Sequence, residues 1–172
     1  MLANFIVEYS NLNQLWFIVS PQNPLKKKSS LLSDYHRYEL VYRAIEGFSK
    51  MKVSNIEFSL PKPSYTIDTL AYLSEKYPEY LFTIIMGADN LESIEKWKNY
   101  SKILEFYRIL VFPRPGFTGG NLANHPSVSW IKTPMLEISS TFIRNAIAEG
   151  KDVRFFMPEK AYTYLQEMNF YK

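Results

Sequence analysis

Leu136-Glu-Ile-Ser-Ser-Thr-Phe-Ile-Arg-Asn-Ala-Ile-Ala-Glu-Gly150 has the composition of a helix entrance built to hold an anion. Ile138 ends an extended approach, and hydroxyls follow at Ser139, Ser140 and Thr141. An apolar helical pattern then runs through Phe142, Ile143, Ala146 and Ile147, and Gly150 stands where a left-handed cap closes a helix. The first amides of a helix have no acceptor within it, and the helix dipole adds partial positive charge there. Serine hydroxyls beside those amides, with the Arg144 guanidinium one turn on, form a fork suited to phosphate oxygens. The same residues would also suit an ordinary hydroxyl cap with a surface arginine, and the local pattern does not separate the two.

The rest of the chain supplies the frame. Leu2, Phe5, Ile6 and Tyr9 are spaced as one helix face, and Leu15–Val19 is a short β-rich run. Ser33 or Asp34 caps a helix through Leu40, Val41, Ala44 and Ile45. Val53–Phe58 is expected as a strand, and Ser64 or Thr66 opens a helix to Tyr77. Leu81–Met86 is a continuous apolar strand ending at Gly87-Ala-Asp-Asn90. Short helical pieces at Ile94–Trp97 and Ile103–Phe106, strands at Ile109–Phe112 and Val128–Lys132, and a last helix at Glu159–Met168 complete the pattern. Strands alternating with helices predict an α/β fold, a doubly wound Rossmann-like parallel sheet covered on both faces. Ligands of such sheets sit beyond the carboxyl ends of the strands, where the polar segments Ser20–Lys28, Ser64–Asp68, Gly87–Asn90 and Ser139–Arg144 fall.

Composition narrows the classes. At 172 residues, with no repeat or linker, residues 1–172 read as one domain. No apolar run of about 18 residues predicts a membrane span, and the N-terminus lacks the pattern of a signal peptide. The chain has no cysteine, so disulfide and thiolate chemistry are excluded, in keeping with a cytoplasmic location. A net charge of +3 suits a polyphosphate ligand, whereas a nucleic-acid binder would carry a denser basic face.

Four further groups carry possible chemistry. Lys26, Lys27 and Lys28 place ammonium groups on a loop, where they follow a phosphate or are simply solvated. In Ser64-Tyr-Thr-Ile-Asp-Thr-Leu70, a hydroxyl and Asp68 suit any helix start, yet Tyr65 and Thr66 share the same ligand edge. Gly87 lets the backbone approach a ligand, and Asp89 just past the strand can accept two ribose hydroxyls, although aspartate also caps helices. Trp97 offers a face for a planar ring, or packs in the core. His36 and His125 stand alone, and no cluster of metal-ligand spacing appears.

Together these strings resemble one family of the nucleotidyltransferase superfamily, the nicotinate-nucleotide adenylyltransferases. Ile138–Arg144 matches its signature I-S-S-T-x-I-R, and Ser64–Leu70, Gly87-Ala88-Asp89, Trp97 and Arg114-Pro115-Gly116 follow in the family's order and spacing. Asn23-Pro24-Leu25-Lys26-Lys27 resembles its N-P-P-H-K segment, with Leu25 and Lys26 in place of Pro and His. The resemblance implies adenylyl transfer from ATP to nicotinate mononucleotide in NAD biosynthesis. It implies that Gly87, Asp89, Ile138, Ser139, Ser140 and Arg144 bind ATP, and that Lys26, Lys27, Tyr65, Thr66, Trp97 and Arg114 bind the mononucleotide. Arg144, Ser140 and Lys27 would stabilise the reacting phosphates. Mg²⁺ would travel with ATP, with no protein-held metal, no nucleic-acid or membrane partner, and an oligomeric state left open.

One departure is large. The family opens on a strand and a glycine-rich turn, G-x-F-x-P-x-H-x-G-H, whose histidines stabilise the transferring phosphate. Nothing here matches it, and Met1-Leu-Ala-Asn-Phe5 resembles the helix that follows that motif. The expectation is a chain lacking the family's first strand, with exposed sheet edges, low solubility and weak turnover. A related adenylyltransferase of the pantetheine-phosphate type, or a nucleotide-binding protein without catalysis, are the alternatives. RNA binding through Lys26–Lys28 ranks below both.

Overall fold

Thr83-Ile-Ile-Met-Gly87 forms strand β3, pairing in parallel with β4 (Arg108–Phe112), which pairs in parallel with β5 (Val128–Trp130). A computed structural model describes residues 1–21, 32–135 and 137–172. β3, β4 and β5 lie in one of two compact units, which holds Met1–Leu12 and Leu60–Met135. Helices α1 (Leu2–Tyr9), α3 (Thr66–Lys76), α4 (Ala88–Glu92) and α5 (Tyr100–Phe106) belong to the same unit. Its core is aliphatic: Ile109 and Val111 of β4, Ile94 and Ile103 are fully enclosed, with Met86, Leu91 and Leu104 beside them. Each such side chain contributes about 1.5–3 kcal/mol by leaving water.

The second unit holds Asn13–Pro21, 32–59 and 137–172. Strands β1 (Leu15–Ile18) and β2 (Met51–Ser54) pair in parallel, Leu15 opposite Met51. Helix α2 (Asp34–Ile45) opens on Ser33, whose hydroxyl accepts the amide hydrogen of His36. It packs with β2 through Val19, Ile45 and Val53. Helix α6 (Ser140–Ala148) and helix α7 (Glu159–Glu167) bury Ala146, Ile147 and Leu165 against Leu40, Phe170 and Tyr171. Gly150 follows α6 at φ +71, the left-handed closure that the sequence predicts.

Among the described residues every strand ladder is parallel, as expected, but the strands form two sheets, of two and three strands. The two sheets belong to different compact units. Several boundaries also move. The strand expected at Val53–Phe58 stops at Ser54, and Ile56–Ser59 is a tight 3₁₀ turn. Serine chemistry pulls the chain out of the ladder there: Ser54 Oγ accepts from the Ile56 amide, and the Ser59 hydroxyl donates to the Ile56 carbonyl. Leu81, expected inside a buried strand, is 99% exposed, and β3 begins at Thr83. The last strand ends at Trp130, before Lys132. β3 ends at Gly87, and the short helix α4 starts directly after it at Ala88.

Candidate functional site

Unit by unit, the polar motifs lie at element ends. In the first unit, β3 and β4 finish together, with Gly87 opposite Phe112, so Asp89 and Arg114 emerge at one edge. Arg114 Nε stands 3.6 Å from Asp89 Oδ1, an ion pair too long for a hydrogen bond. Both atoms are buried, and among the described residues neither has a hydrogen-bond partner. The two side chains are 41% and 34% exposed, so other atoms of the carboxylate and guanidinium reach solvent. Gly87 is required here: a Cβ on it would lie 3.0 Å from Arg114 Cγ and closer still to the Asp89 carboxylate.

The loop that starts at Arg114 is pinned by one carboxylate. Glu92, on the turn of α4 after Asp89, places Oε1 2.7 Å from the Thr118 amide and 3.2 Å from the Gly119 amide. The Thr118 hydroxyl donates to the same oxygen at 3.2 Å. Gly119, at φ +89, passes so close to Trp130 that a Cβ would lie 2.8 Å from its ring. Asp89, Glu92 and Arg114 therefore belong to one mechanical assembly, although Glu92 carries no sequence signal that would have found it.

Helix α3 begins at Thr66 with Tyr65 as its cap residue, not with a hydroxyl cap from Ser64 or Thr66 as the sequence suggests. Among the described residues no side chain caps it. Asp68 and Thr69 amides reach the Tyr65 carbonyl, while helix geometry leaves the Thr66 and Ile67 amides without an intrahelical acceptor. The Ser64 hydroxyl is buried without a hydrogen-bond partner among the described residues. Across 30 residues of sequence, Lys98 reaches this entrance: its Nζ is 2.8 Å from Asp68 Oδ2 and 4.6 Å from the centre of the Tyr65 ring. Trp97, the preceding residue, packs half-buried against the aliphatic core, and its indole nitrogen is buried without an acceptor among the described residues. So Trp97 is partly the core residue of the plainer reading, with a donor left over.

The second unit carries the Ile138–Arg144 entrance. Ser139 is the cap of α6, and its hydroxyl accepts the Phe142 amide at 3.1 Å. Arg144 reaches back along the helix, donating from Nη2 to Thr141 Oγ1 at 3.1 Å. One hydroxyl is thus spent on capping, whereas Ser140 opens the helix exposed to solvent, with Ile138 40% exposed before it. Burial pushes the Tyr171 phenol above its ordinary value, against the pull of the Arg144 and Arg37 guanidiniums. Arg37 also donates to the carbonyls of Pro21 and Leu32. Lys26 and Lys27, with the whole Asn23–Lys28 segment, lie outside the described residues, as does Leu136.

The two histidines are structural in their contacts. His36 Nδ1 is 2.8 Å from the Tyr164 hydroxyl, and His125 Nδ1 is 2.9 Å from the Ser127 hydroxyl. Among the described residues no group of three His, Cys, Asp or Glu side chains is assembled, and no helix is long and apolar enough to cross a membrane.

Comparison with known proteins gives concordant matches. A family model for cytidylyltransferase-like proteins matches residues 2–146. A protein of Christiangramia forsetii named "Probable nicotinate-nucleotide adenylyltransferase" is 50% identical, over 100% of this chain and 90% of its own. One of the same name from Bacteroides thetaiotaomicron is 44% identical, over 96% of this chain and 82% of its own. Among solved structures, a Plasmodium falciparum nicotinic acid mononucleotide adenylyltransferase complexed with NaAD matches with a TM-score of 0.78 at 22% identity. It covers 98% of this chain and 90% of that one, a likeness of fold.

Proposed function

The chain belongs to the cytidylyltransferase-like family, among the nicotinate-nucleotide adenylyltransferases, and from that premise we propose that it transfers the adenylyl group of ATP to nicotinate mononucleotide, giving deamido-NAD and pyrophosphate. A phosphate oxygen of the mononucleotide attacks the α-phosphorus of ATP. The new P–O bond forms as the bond to the bridging oxygen of the β-phosphate breaks, and that electron pair leaves with pyrophosphate. The reaction needs positioning and charge neutralisation, with no covalent enzyme intermediate.

The observation that carries the choice of acceptor is the open entrance of α3. Its uncapped amides beside Tyr65 and Thr66 suit a carboxylate, and Trp97 directly follows the 3₁₀ turn Ile94–Lys96, whose Ile94 packs in the same core. A pyridine carboxylate gains more from amide donors than a carboxamide does, which favours nicotinate over nicotinamide mononucleotide. Arg114 serves the mononucleotide, Asp89 the ribose hydroxyls, and Gly87 allows close approach of the nucleotide. In the second unit Ser139, Ser140 and Ile138 line the phosphate entrance, and Arg144 offsets charge on the ATP phosphates. Lys26 and Lys27 would add ammonium groups from their loop. Mg²⁺ enters as part of the ATP complex, and residues 1–172 act as one adenylyltransferase domain in the cytoplasm. The test is pyrophosphate release and deamido-NAD formation that require both ATP and nicotinate mononucleotide. Release dependent on ATP alone, or on phosphopantetheine instead, would overturn the reading.

A further inference from the structure

The entrance of α3 presents an electrostatic contradiction. If its first amides receive a pyridine carboxylate, the helix already carries an anion in that same turn: Asp68, the third helical residue. An acid there stabilises the helix by complementing its dipole, but it opposes a second anion at the same amides. Lys98 resolves the contradiction. Its ammonium lies 2.8 Å from Asp68 Oδ2, and the same ammonium stands 4.6 Å from the Tyr65 ring centre. Tyr65 is the cap residue whose carbonyl takes the Asp68 and Thr69 amides. One lysine therefore holds both ends of the first turn, and it does so from the residue next to Trp97.

Stability is a poor explanation for this arrangement. The side chains of Lys98 and Asp68 are 42% and 53% exposed, and half-solvated ion pairs add little to folding. What the pair does change is the charge an incoming ligand meets. With Lys98 in place the Asp68 charge is compensated. Without it, no other cation among the described residues is paired with Asp68.

We propose that Lys98 is a specificity-determining residue of the mononucleotide site. It cancels Asp68 and pins the Tyr65 ring, so that the α3 amides accept a carboxylate in preference to a carboxamide. This rests on the reading of the chain as a nicotinate-mononucleotide adenylyltransferase. It assigns Lys98 a positioning role, acting through Asp68 and Tyr65.

Steady-state kinetics with nicotinate mononucleotide, nicotinamide mononucleotide and ATP, each varied in turn, test it. Lys98→Met keeps the aliphatic stem and removes the charge. It should raise KM for nicotinate mononucleotide by about tenfold, and for nicotinamide mononucleotide by less than about twofold, with KM for ATP unchanged. Lys98→Arg should restore the nicotinate preference. Asp68→Asn alone should lower KM for nicotinate mononucleotide, and the Lys98→Met/Asp68→Asn pair should recover most of what Lys98→Met loses. Equal loss for the two pyridine nucleotides, a Lys98→Met variant indistinguishable from wild type, or a double variant as impaired as the single one would overturn the proposal. If Lys98→Met fails to fold, Asp68→Asn decides alone, and a raised KM there contradicts the idea. A wild-type protein that does not adenylylate nicotinate mononucleotide would instead overturn the functional reading beneath it.

Discussion

Arg144 is where the plain and the functional readings of a single residue can be separated. Its guanidinium leans on Thr141 at the exposed start of α6, a contact that a surface arginine would also make. If it serves the phosphates, Arg144→Ala should raise KM for ATP by about ten- to a hundredfold while calorimetric binding of nicotinate mononucleotide stays unchanged. Equal losses for both substrates would mean a structural role. Glu92 makes the complementary case. Glu92→Ala frees the Thr118 and Gly119 amides, loosens the loop that begins at Arg114, and should weaken nicotinate mononucleotide by about tenfold with little effect on ATP. Gly119→Ala forces a left-handed backbone and a clash with Trp130, and should lower stability by about 2 kcal/mol in a denaturant titration. Single residues were unevenly legible from sequence. Ile138–Arg144 announced itself because a helix entrance is local. Lys98 and Glu92 did not, because their partners lie 30 and 26 residues away and only the fold brings them together.

At the scale of elements, two helix entrances solve the same problem differently. α6 is capped by its own serine, whereas α3 has no side-chain cap and takes Lys98 on its first acid. Helices were predicted well because their apolar spacing and caps are local: α2 starts after Ser33, α3 runs from Thr66, and α6 closes before Gly150. Strand ends were predicted less well, since a run such as Leu81–Met86 says nothing about where its ladder partner stops. The contact of α2 with α7 yields a pH-dependent expectation. Tyr164 is buried, with its hydroxyl 2.8 Å from His36 Nδ1 and the Arg43 guanidinium 4.4 Å from its ring centre. Burial raises its pKa above the ordinary 10.0, with Glu39 adding to the rise. The unfolded chain therefore loses this proton first. The contribution is full below the unfolded value and is lost as pH climbs through the folded one. Tyr164→Phe should cost about 1 kcal/mol at neutral pH and show a shallower alkaline fall in melting temperature than wild type. An unchanged alkaline slope would mean that Tyr164 is not the group responsible.

For the molecule as a whole, the parallel α/β architecture was readable because strands and helices alternate along the chain. The division into a two-stranded and a three-stranded sheet follows from pairing, which periodicity does not encode. The proposed function also belongs to this scale, since it needs two anionic substrates, ATP and nicotinate mononucleotide. A net charge of +3 favours both anions without choosing between acceptors, so the choice rests on the α3 entrance. The most direct measurement is a competition: the protein incubated with ATP and Mg²⁺ and with equal nicotinate and nicotinamide mononucleotide, the dinucleotide products counted by mass spectrometry. A ratio of products does not depend on how fast the protein turns over. Deamido-NAD should exceed NAD by about tenfold or more, and equal amounts of the two, or an excess of NAD, would contradict the assignment.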